Sequence, residues 1–456
     1  MTQTGNVTRG AIEVRHQRWL LLIALGALLL RLAPLLQHGI AWASLNTDSR
    51  DYLELAQGLN SGCGYARSVD GVCSSPEVLR LPGYPVFLAA MPSIRVALAT
   101  NALLAAAVCF LVGLFSTAAW GPRAGTIGAL LVATDIPSIA LCAQVMSDPV
   151  FQLLLVVGFL GEFSLFVAWS TARTRKTAAF AGLGSLAIAT LVRPIGIILP
   201  FLAALPFLLD QAPVRRKMVA ALLAVAIVVS PVVAWAFRNQ RAVGVFTYST
   251  EAAVALYYYG AGGTIWWRSH ESFEAVRARL EREMGVSTYS LTPAARGPEL
   301  ISKAVTIIGN DPAGFALLSM LSLFRISVAP EEYSLEVWFA EPIPNPGQNP
   351  WFTTIAQRVR LLATAPIVAI LLVFQLAVLA FIWLGVGRAV WFWFREGDGD
   401  QKRLVLCLLI LALTLLVMGS TPGGTGARYR TIALPFLAML AASGWTSKLK
   451  VPVSQS

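Results

Sequence analysis

Carboxylates and arginines that would be costly inside a membrane collect at a few positions of this sequence. The acidic candidates for catalysis are Asp48, Asp51, Glu77 and Asp148, and the basic candidates for substrate binding are Arg80, Arg193, Arg428 and Arg430. A carboxylate can take a proton from an attacking hydroxyl. Guanidinium groups can hold phosphate oxygens and stabilise a phosphate leaving group. Together, these residue types favour glycosyl transfer from a lipid phosphate.

Other chemistries have little support in the sequence. It contains 3 histidines, and no Cys or His pair has the spacing of metal ligands, which argues against a zinc site or a Ser–His arrangement. It has no P-loop and no dinucleotide fingerprint, which argues against chemistry driven by ATP or a soluble nucleotide sugar. No cofactor is therefore certain, but Asp48, Glu77 and Asp148 could gather a divalent cation such as Mg²⁺ or Mn²⁺ through oxygen ligands.

The composition indicates a membrane protein. The 456 residues are 56% hydrophobic and 13% charged, and the mean hydropathy is +0.67. Repeated apolar runs of about 20 residues have the length needed to cross a bilayer. The net charge of +11 comes from short basic clusters between these runs, where they contact membrane lipid headgroups. Nucleic acid is therefore not an expected partner.

The apolar runs predict an all-α polytopic membrane protein with about ten transmembrane helices, in a range of about 9–13. We expect a cytoplasmic tail at 1–18, a transmembrane module at 19–237 with its first external loop at 39–84, a small, mainly helical extracytoplasmic domain at 238–360, further transmembrane helices at 361–446 and a cytoplasmic tail at 447–456. Basic residues ahead of the first apolar run place the N-terminal tail inside. The acid-bearing loop then faces the exterior.

Two cysteines lie within this first external loop. Cys63 and Cys73 stand outside the cytoplasm in the predicted topology, where a disulfide can form. Their spacing alone leaves open whether the two Cα atoms approach closely enough. Ahead of them, DYLELAQGLNSG has the apolar pattern of a helix that lies at the membrane interface.

Several motifs follow one another along nearly the whole chain. They are an acid just before Tyr52, RLPGYPVFLA from Arg80, MSDPVF from Met146, LVRP from Leu191, RNQRAVGVFTYST from Arg238 and GARYRTIALPFLAMLAASGW from Gly426. Their order resembles the GT-C glycosyltransferases, specifically the branch with protein O-mannosyltransferases and lipid A aminoarabinose transferases. The resemblance implies a polyprenyl-phosphate-linked sugar donor, transfer outside the cytoplasm and inversion at the anomeric carbon.

The resemblance also suggests roles for individual residues. The family's base is an Asp in the first external loop, which Asp48 matches best, with Asp51 as the competitor. Glu77 and Asp148 match secondary acids that orient the acceptor or hold a metal, and their alternatives are an ion pair with Arg80 and a helix N-cap.

Several other side chains are substrate-binding candidates. Arg428 and Arg430 match basic positions near the donor phosphate, with interfacial anchoring as the alternative, and Arg193 fits the same role. The tyrosines of these motifs, Tyr52, Tyr84 and Tyr429, complete the set.

A transporter or flippase for lipid-linked sugars is the alternative function, because it too needs many spans and a basic phosphate site. The acids, however, concentrate in external loops, whereas transporters tend to bind near the midplane. For the enzyme we expect an envelope glycan, lipid or protein as acceptor. We expect a multi-pass protein of the cell inner (plasma) membrane, with its active site facing the periplasm or the exterior.

Overall fold

A computed structural model describes residues 3–40, 47–69, 71–167, 172–269, 271–285, 296–330, 366–420, 422 and 428–447. Part of the expected domain at 238–360 and most of the expected tail at 447–456 lie outside these residues. The elements are given below in chain order.

The first half of the chain contains most of the bundle helices and a small hairpin. Its elements are α1 (Gln3–His38), α2 (Thr47–Asn60), β1 (Ala66–Val69), β2 (Val72–Pro76), α3 (Gly83–Ala89), α4 (Ile94–Trp120), α5 (Pro122–Ala133), α6 (Ile136–Leu141), α7 (Asp148–Phe163), α8 (Ala172–Thr190), α9 (Leu199–Leu209) and α10 (Val214–Val243). The α8–α9 connection includes a 3₁₀ turn at Pro194–Ile198, where Pro194 interrupts the helix.

Short helices follow, and long ones close the chain. They are α11 (Glu251–Val254), continued by a π-helical turn at Ala255–Ala261, α12 (Gly262–Arg268), α13 (Phe273–Met284), α14 (Gly297–Asn310), α15 (Pro312–Val328), α16 (Pro366–Glu396), α17 (Gly399–Gly419) and α18 (Arg428–Thr446). Helix α10 runs to Val243, past the expected module boundary at 237.

The predicted fold class is confirmed: the protein is an all-α polytopic membrane protein. The predicted spans fall on α1, α4, α5 together with α6, α7, α8, α9, α10, α16, α17 and α18, but fewer of these described helices are long enough to cross a membrane. Of the described helices, 6 are long and apolar enough to cross a membrane, or 7 if α14 and α15 form one broken span. The β1–β2 hairpin was not predicted from the sequence.

Close helix packing holds the bundle together. Helix α18 contacts α4, α5, α16 and α17, and nearly every side chain from Arg430 to Gly444 is buried. A Cβ added to Gly444 would lie 2.0 Å from the carbonyl oxygen of Gly385. Small residues thus allow the backbones of α16 and α18 to touch, as in other membrane helix pairs.

The short helices form a second core beside the end of the bundle that carries α2. Tyr257, Val276, Leu280 and Leu300 are buried together there, and Leu79 from the segment between β2 and α3 packs into the same cluster. The Ser249 hydroxyl donates to the Leu79 carbonyl at 2.6 Å. The segment that carries Arg80 is therefore fixed from both the bundle and this small domain.

Helices α14 and α15 meet at an angle of 100°. Helix α15 lies against α16, α17 and α18, and the Trp383 indole N–H donates to the Ser327 carbonyl at 2.9 Å. The apolar α15 thus joins the bundle, while α14 belongs to the small domain.

The hairpin packs directly on α2. Strands β1 and β2 are antiparallel, and a Cys63–Cys73 disulfide closes a loop that contains β1 and the start of β2. A Cβ on Gly58 would lie 1.8 Å from the Ala66 carbonyl oxygen. Glycine at this position of α2 is what lets β1 approach.

We predict that Gly58→Ala destabilises the protein by about 1–3 kcal/mol, because β1 must move away from α2. Gly184→Ala is the matched control: Gly184 is also helical, but a Cβ there meets nothing within 4 Å. That variant should be neutral or slightly stabilising. Thermal unfolding of both variants in detergent checks the prediction, and equal midpoints would contradict it.

Candidate active site

Helix α2 presents two of the predicted acids on one face. Asp48 and Asp51 are three residues apart, which places them on neighbouring turns of the same side. Tyr52 and Leu55 are buried, and the Tyr52 hydroxyl lies 3.3 Å from that of Ser147, just ahead of α7. The apolar side of α2 therefore anchors the helix on the bundle and directs its acids toward the residues described next.

One continuous series of ion pairs runs across this end of the bundle, and we call it the ion-pair chain. Its members are Arg50, Glu54, Arg67, Asp51, Glu77, Arg80, Asp48, Glu251, Arg428, Asp148 and Arg193. These are five arginines and six carboxylates, so the ion-pair chain contains one more negative than positive side chain. Apart from the exposed Arg50, these charges are at least partly buried and need partners, and here every one has at least one.

Arg80 is the central cation. Its Nη2 lies 2.6 Å from Asp48 Oδ1 and 2.9 Å from Asp51 Oδ2, and its Nη1 lies 3.2 Å from Glu251 Oε2. The planar guanidinium can serve several carboxylates at once because it has five donors in a fixed geometry. Three separate elements, α2, the segment after β2 and α11, thus meet at one side chain.

Arg67 on β1 connects the two acids on the hairpin side. Its guanidinium bonds Asp51 and, through Nε at 3.0 Å, Glu77. The other Glu77 oxygen accepts the backbone N–H groups of Val78 and Leu79. Glu77 is fully buried. Its contacts therefore fix the conformation of the segment that leads to Arg80.

Arg428 and Arg193 pair with Asp48 and Asp148, on the side of the ion-pair chain away from the hairpin. Arg428 Nη1 lies 3.0 Å from Asp48 Oδ2, and its Nη2 lies 3.2 Å from Asp148 Oδ2. Arg193 Nη1 lies 2.6 Å from the same Asp148 oxygen. Arg428 begins α18, where the helix dipole disfavours a cation, and the two carboxylates compensate for that position.

Two of the three predicted tyrosines, Tyr52 and Tyr429, contact arginines of the ion-pair chain, and Tyr84 packs against Tyr52. The Arg80 guanidinium carbon lies 5.7 Å from the Tyr52 ring centre, and the rings of Tyr52 and Tyr84 meet edge to face at 5.0 Å. Arg193 and Arg428 lie 5.9 and 5.8 Å from the Tyr429 ring centre. The aromatic faces add cation–π attraction to the ion pairs.

Arg430 is the one predicted site residue that the structure does not bring to this cluster. It is buried, and its Nη1 donates to the carbonyls of Ile326 at 2.8 Å and Ala329 at 2.6 Å. The physical reason is the helix period: two residues turn α18 by about 200°, so Arg428 and Arg430 lie on opposite faces. Arg430 joins α18 to the end of α15.

The environment separates the pKa values of the clustered acids. Burial alone would raise the pKa of the Asp48 carboxyl, but Arg80 and Arg428 outweigh burial and lower this pKa below its ordinary value. Burial dominates at Asp51 and Glu251, whose pKa values are raised despite Arg80. Asp48 is therefore held in its ionised form.

The carboxylates do not gather in the way that a divalent cation requires. Arg428 lies between Asp48 and Asp148, and Arg67 lies between Asp51 and Glu77. Among the described residues, no three His, Cys, Asp or Glu side chains form a group that could hold a metal ion. Guanidinium groups occupy the positions between the acids, so this donor set does not fit Mg²⁺ or Mn²⁺.

Sequence reasoning missed four members of the ion-pair chain: Arg50, Glu54, Arg67 and Glu251. A signal for Arg67 was its position between the two cysteines, because a closed loop fixes the residues inside it. Glu251 follows the polar YST turn at which the chain leaves α10. No pattern in the sequence indicated that this turn folds back onto Arg80.

No protein-family model and no curated protein matches the chain. The chain is, however, similar to several solved structures. Archaeal oligosaccharyltransferase AglB from Archaeoglobus fulgidus, in complex with an inhibitory peptide and a dolichol-phosphate, is 15% identical with a TM-score of 0.50, over 93% of this chain and 50% of that one. The chain shares the fold of this structure.

Two further structures of the Archaeoglobus fulgidus oligosaccharyltransferase are similar. The apo form is 13% identical with a TM-score of 0.48, over 93% of this chain and 50% of that one. The form tethered to an acceptor peptide with the NVT sequon is 11% identical with a TM-score of 0.47, over 93% and 49%. The chain thus spans about half the length of the structures it matches.

We predict that Arg67→Gln lowers the free energy of unfolding by about 3–5 kcal/mol, because it leaves buried carboxylates uncompensated. Arg50→Gln is the matched control. The Arg50 side chain is 76% exposed, against 8% for Arg67, so its loss should cost about 0.5 kcal/mol or less. Chemical denaturation in detergent measures both, and similar losses in the two variants would contradict this account.

The lowered pKa of Asp48 predicts a pH dependence of stability. Asp48 stabilises the fold fully above its unfolded pKa of about 3.9, and this contribution is lost as the pH falls through the lower folded pKa. The stability difference between wild type and Asp48→Asn should therefore be constant above about pH 5 and shrink below about pH 4.

Glu251→Gln gives the opposite sign, because the folded pKa of Glu251 is raised. The wild type should lose stability relative to this variant as the pH rises above about 4.3. Thermal unfolding across this pH range tests both differences, and the same sign in both variants would refute the assignment.

Proposed function

We propose that the protein is an inverting glycosyltransferase that moves a sugar from a polyprenyl-phosphate donor to an acceptor hydroxyl on the extracytoplasmic side of the membrane. The observation that carries this proposal is the position of Asp48 between Arg80 and Arg428, with Arg193 beyond. A proton acceptor and a set of phosphate-binding groups lie side by side there, on a GT-C fold. The solved AglB structure contains a dolichol-phosphate, a lipid phosphate of the same chemical class.

Asp48 is the better candidate for the base. Its side chain is 22% exposed and that of Asp51 is 11% exposed, so an acceptor reaches Asp48 more easily. Asp51 is held by Arg67 and Arg80 on the hairpin side. In this proposal Asp51 positions Arg80.

Arg193 and Arg428 are the proposed phosphate-binding residues. Arg428 begins α18, and Arg193 follows the end of α8. Both lie at the same end of the bundle, next to Tyr429. A lipid tail would lie among the bundle helices while its phosphate meets these two guanidinium groups, which can bind phosphate oxygens in pairs. Fixed cations at this point stabilise the charge that develops on the leaving phosphate.

The reaction is a single displacement. Asp48 takes the proton of the acceptor hydroxyl, whose oxygen forms a bond to the anomeric carbon as the bond from that carbon to the phosphate oxygen breaks. The electron pair of the broken bond leaves with the polyprenyl phosphate, and attack from the opposite face inverts the anomeric centre. Glu251, 34% exposed and the most exposed partner of Arg80, faces the acceptor in this proposal.

The basic residues indicate which end of the bundle faces the cytoplasm in this proposal. Arg173, Arg175 and Lys176 begin α8, and Arg215, Arg216 and Lys217 begin α10, at the helix ends opposite the ion-pair chain. By the positive-inside rule these ends face the cytoplasm. We therefore place the tails at 1–18 and 447–456 inside, and the loop 39–84 and the domain 238–360 outside, in the cell inner (plasma) membrane.

The test is sugar transfer by the purified full chain in nanodiscs, with a panel of polyprenyl-phosphate sugars and a crude envelope extract of glycans, lipids and proteins as acceptor. We predict release of polyprenyl phosphate, and a decrease of about 10²–10⁴-fold in Asp48→Asn, the range that a general base contributes. Asp400→Asn is the matched control: Asp400 pairs with Arg403 and is 51% exposed, at the opposite end of the bundle. It should keep full activity.

Two results would reject this proposal. Full activity in Asp48→Asn would remove the assigned base. If no donor reacts but the protein moves lipid-linked sugars across liposome membranes, the protein is a transporter or flippase.

A further inference from the structure

The two arginines proposed to bind the donor phosphate are already occupied. Asp148 Oδ2 lies 2.6 Å from Arg193 Nη1 and 3.2 Å from Arg428 Nη2, and only 4% of the Asp148 side chain is exposed. A phosphate that approaches these guanidinium groups therefore meets a carboxylate at the same nitrogen atoms. The two anions compete for one set of donors.

The net charge of the ion-pair chain makes simultaneous binding unfavourable. Its six carboxylates outnumber its five arginines, so an added phosphodiester would increase an existing excess of negative charge. Repulsion between like charges is strong where little water screens them. A phosphate can enter only if a carboxylate leaves the arginines.

Resting on the function proposed above, we propose that Asp148 is an internal competitor of the donor phosphate, which holds Arg193 and Arg428 in place and is displaced when the phosphate binds. Asp148 is a positioning residue in this role. It pre-orients the two guanidinium groups and thereby avoids two unpaired buried cations in the absence of the donor.

Asp148 is the acid best suited to leave. Asp48 shares Arg428 but keeps Arg80, whereas the two arginine partners of Asp148 are the same two that the phosphate requires. Asp148 also begins α7, so a released carboxylate stays at the positive end of a helix dipole. The cost of its release is thus reduced by the helix itself.

The displacement has a consequence for the base. Both oxygens of Asp48 bind guanidinium groups, one Arg80 and the other Arg428. When Arg428 turns to the phosphate, the second oxygen of Asp48 becomes free to accept the proton of the acceptor hydroxyl. Donor binding then precedes activation of the base, which limits reaction to the loaded enzyme.

The test is the affinity of the full chain in nanodiscs for a polyprenyl monophosphate that carries no sugar. Asp148→Asn should bind it about tenfold more tightly than wild type, because the competing charge is gone. A merely structural role for Asp148 predicts the opposite, since damage to the site weakens binding. Equal or weaker binding by folded Asp148→Asn would overturn the inference.

Glu54→Gln is the charge-matched control. Glu54 belongs to the ion-pair chain but, among the described residues, forms ion pairs only with Arg50 and Arg67. The affinity of Glu54→Gln for the lipid phosphate should therefore stay within about twofold of wild type. If Glu54→Gln tightens binding as much as Asp148→Asn, net charge explains the effect and the specific competition is rejected. If Asp148→Asn does not fold, Asp48→Asn replaces it in the test. This variant removes the other carboxylate partner of Arg428 and should also bind the lipid phosphate more tightly. Weaker or unchanged binding would count against the inference.

A polyprenol without phosphate separates this inference from the proposed function. If the wild type binds the phosphate no better than the alcohol, it does not recognise a lipid phosphate, and both proposals fail. If the wild type prefers the phosphate but Asp148→Asn shows no gain, the competition fails while the donor class proposed above is retained.

Discussion

Pairing of buried charge is the constraint on which this structure depends. Eleven charged side chains from helices, a strand and connecting segments meet at one end of an apolar bundle, and each has a partner of opposite sign. Removing one partner of such a pair leaves a buried charge uncompensated, which is costly. Replacing a carboxylate partner with another anion, such as a phosphate, keeps the charge paired. The arrangement is therefore stable without substrate and is also able to exchange one anion for another.

The elements around the ion-pair chain are arranged to hold it. Gly58 and the disulfide bring β1, and with it Arg67, onto α2. The small domain packs around Leu79 and supplies Glu251 from α11. Close packing of α16 on α18 at Gly444 fixes the helix that Arg428 begins. Each of these contacts involves atoms remote from the proposed chemistry, yet each determines where a charged side chain lies.

Much of this could be predicted from the sequence, because apolar length and breaks in helices are local properties. The membrane class, the bundle helices and the break at Pro194 follow from them. The position of Asp48 near Arg80 and Arg428 could also be expected, because the predicted topology places all three at one membrane face. For Arg67 the sequence offered only its position between two cysteines, and for Glu251 it offered nothing, because their partners depend on tertiary contacts of a hairpin and a short helix. The family resemblance assigns Arg430 to the same site as Arg428, but the helix period turns it away.

The most direct test is an experimentally determined structure of the full chain in a nanodisc with a polyprenyl phosphate bound. The account predicts phosphate density between Arg193 and Arg428, within hydrogen-bonding distance of both, with the Asp148 carboxylate turned away and Asp48 still paired with Arg80. Phosphate bound elsewhere while the pairs of Asp148 with Arg193 and Arg428 persist would contradict it.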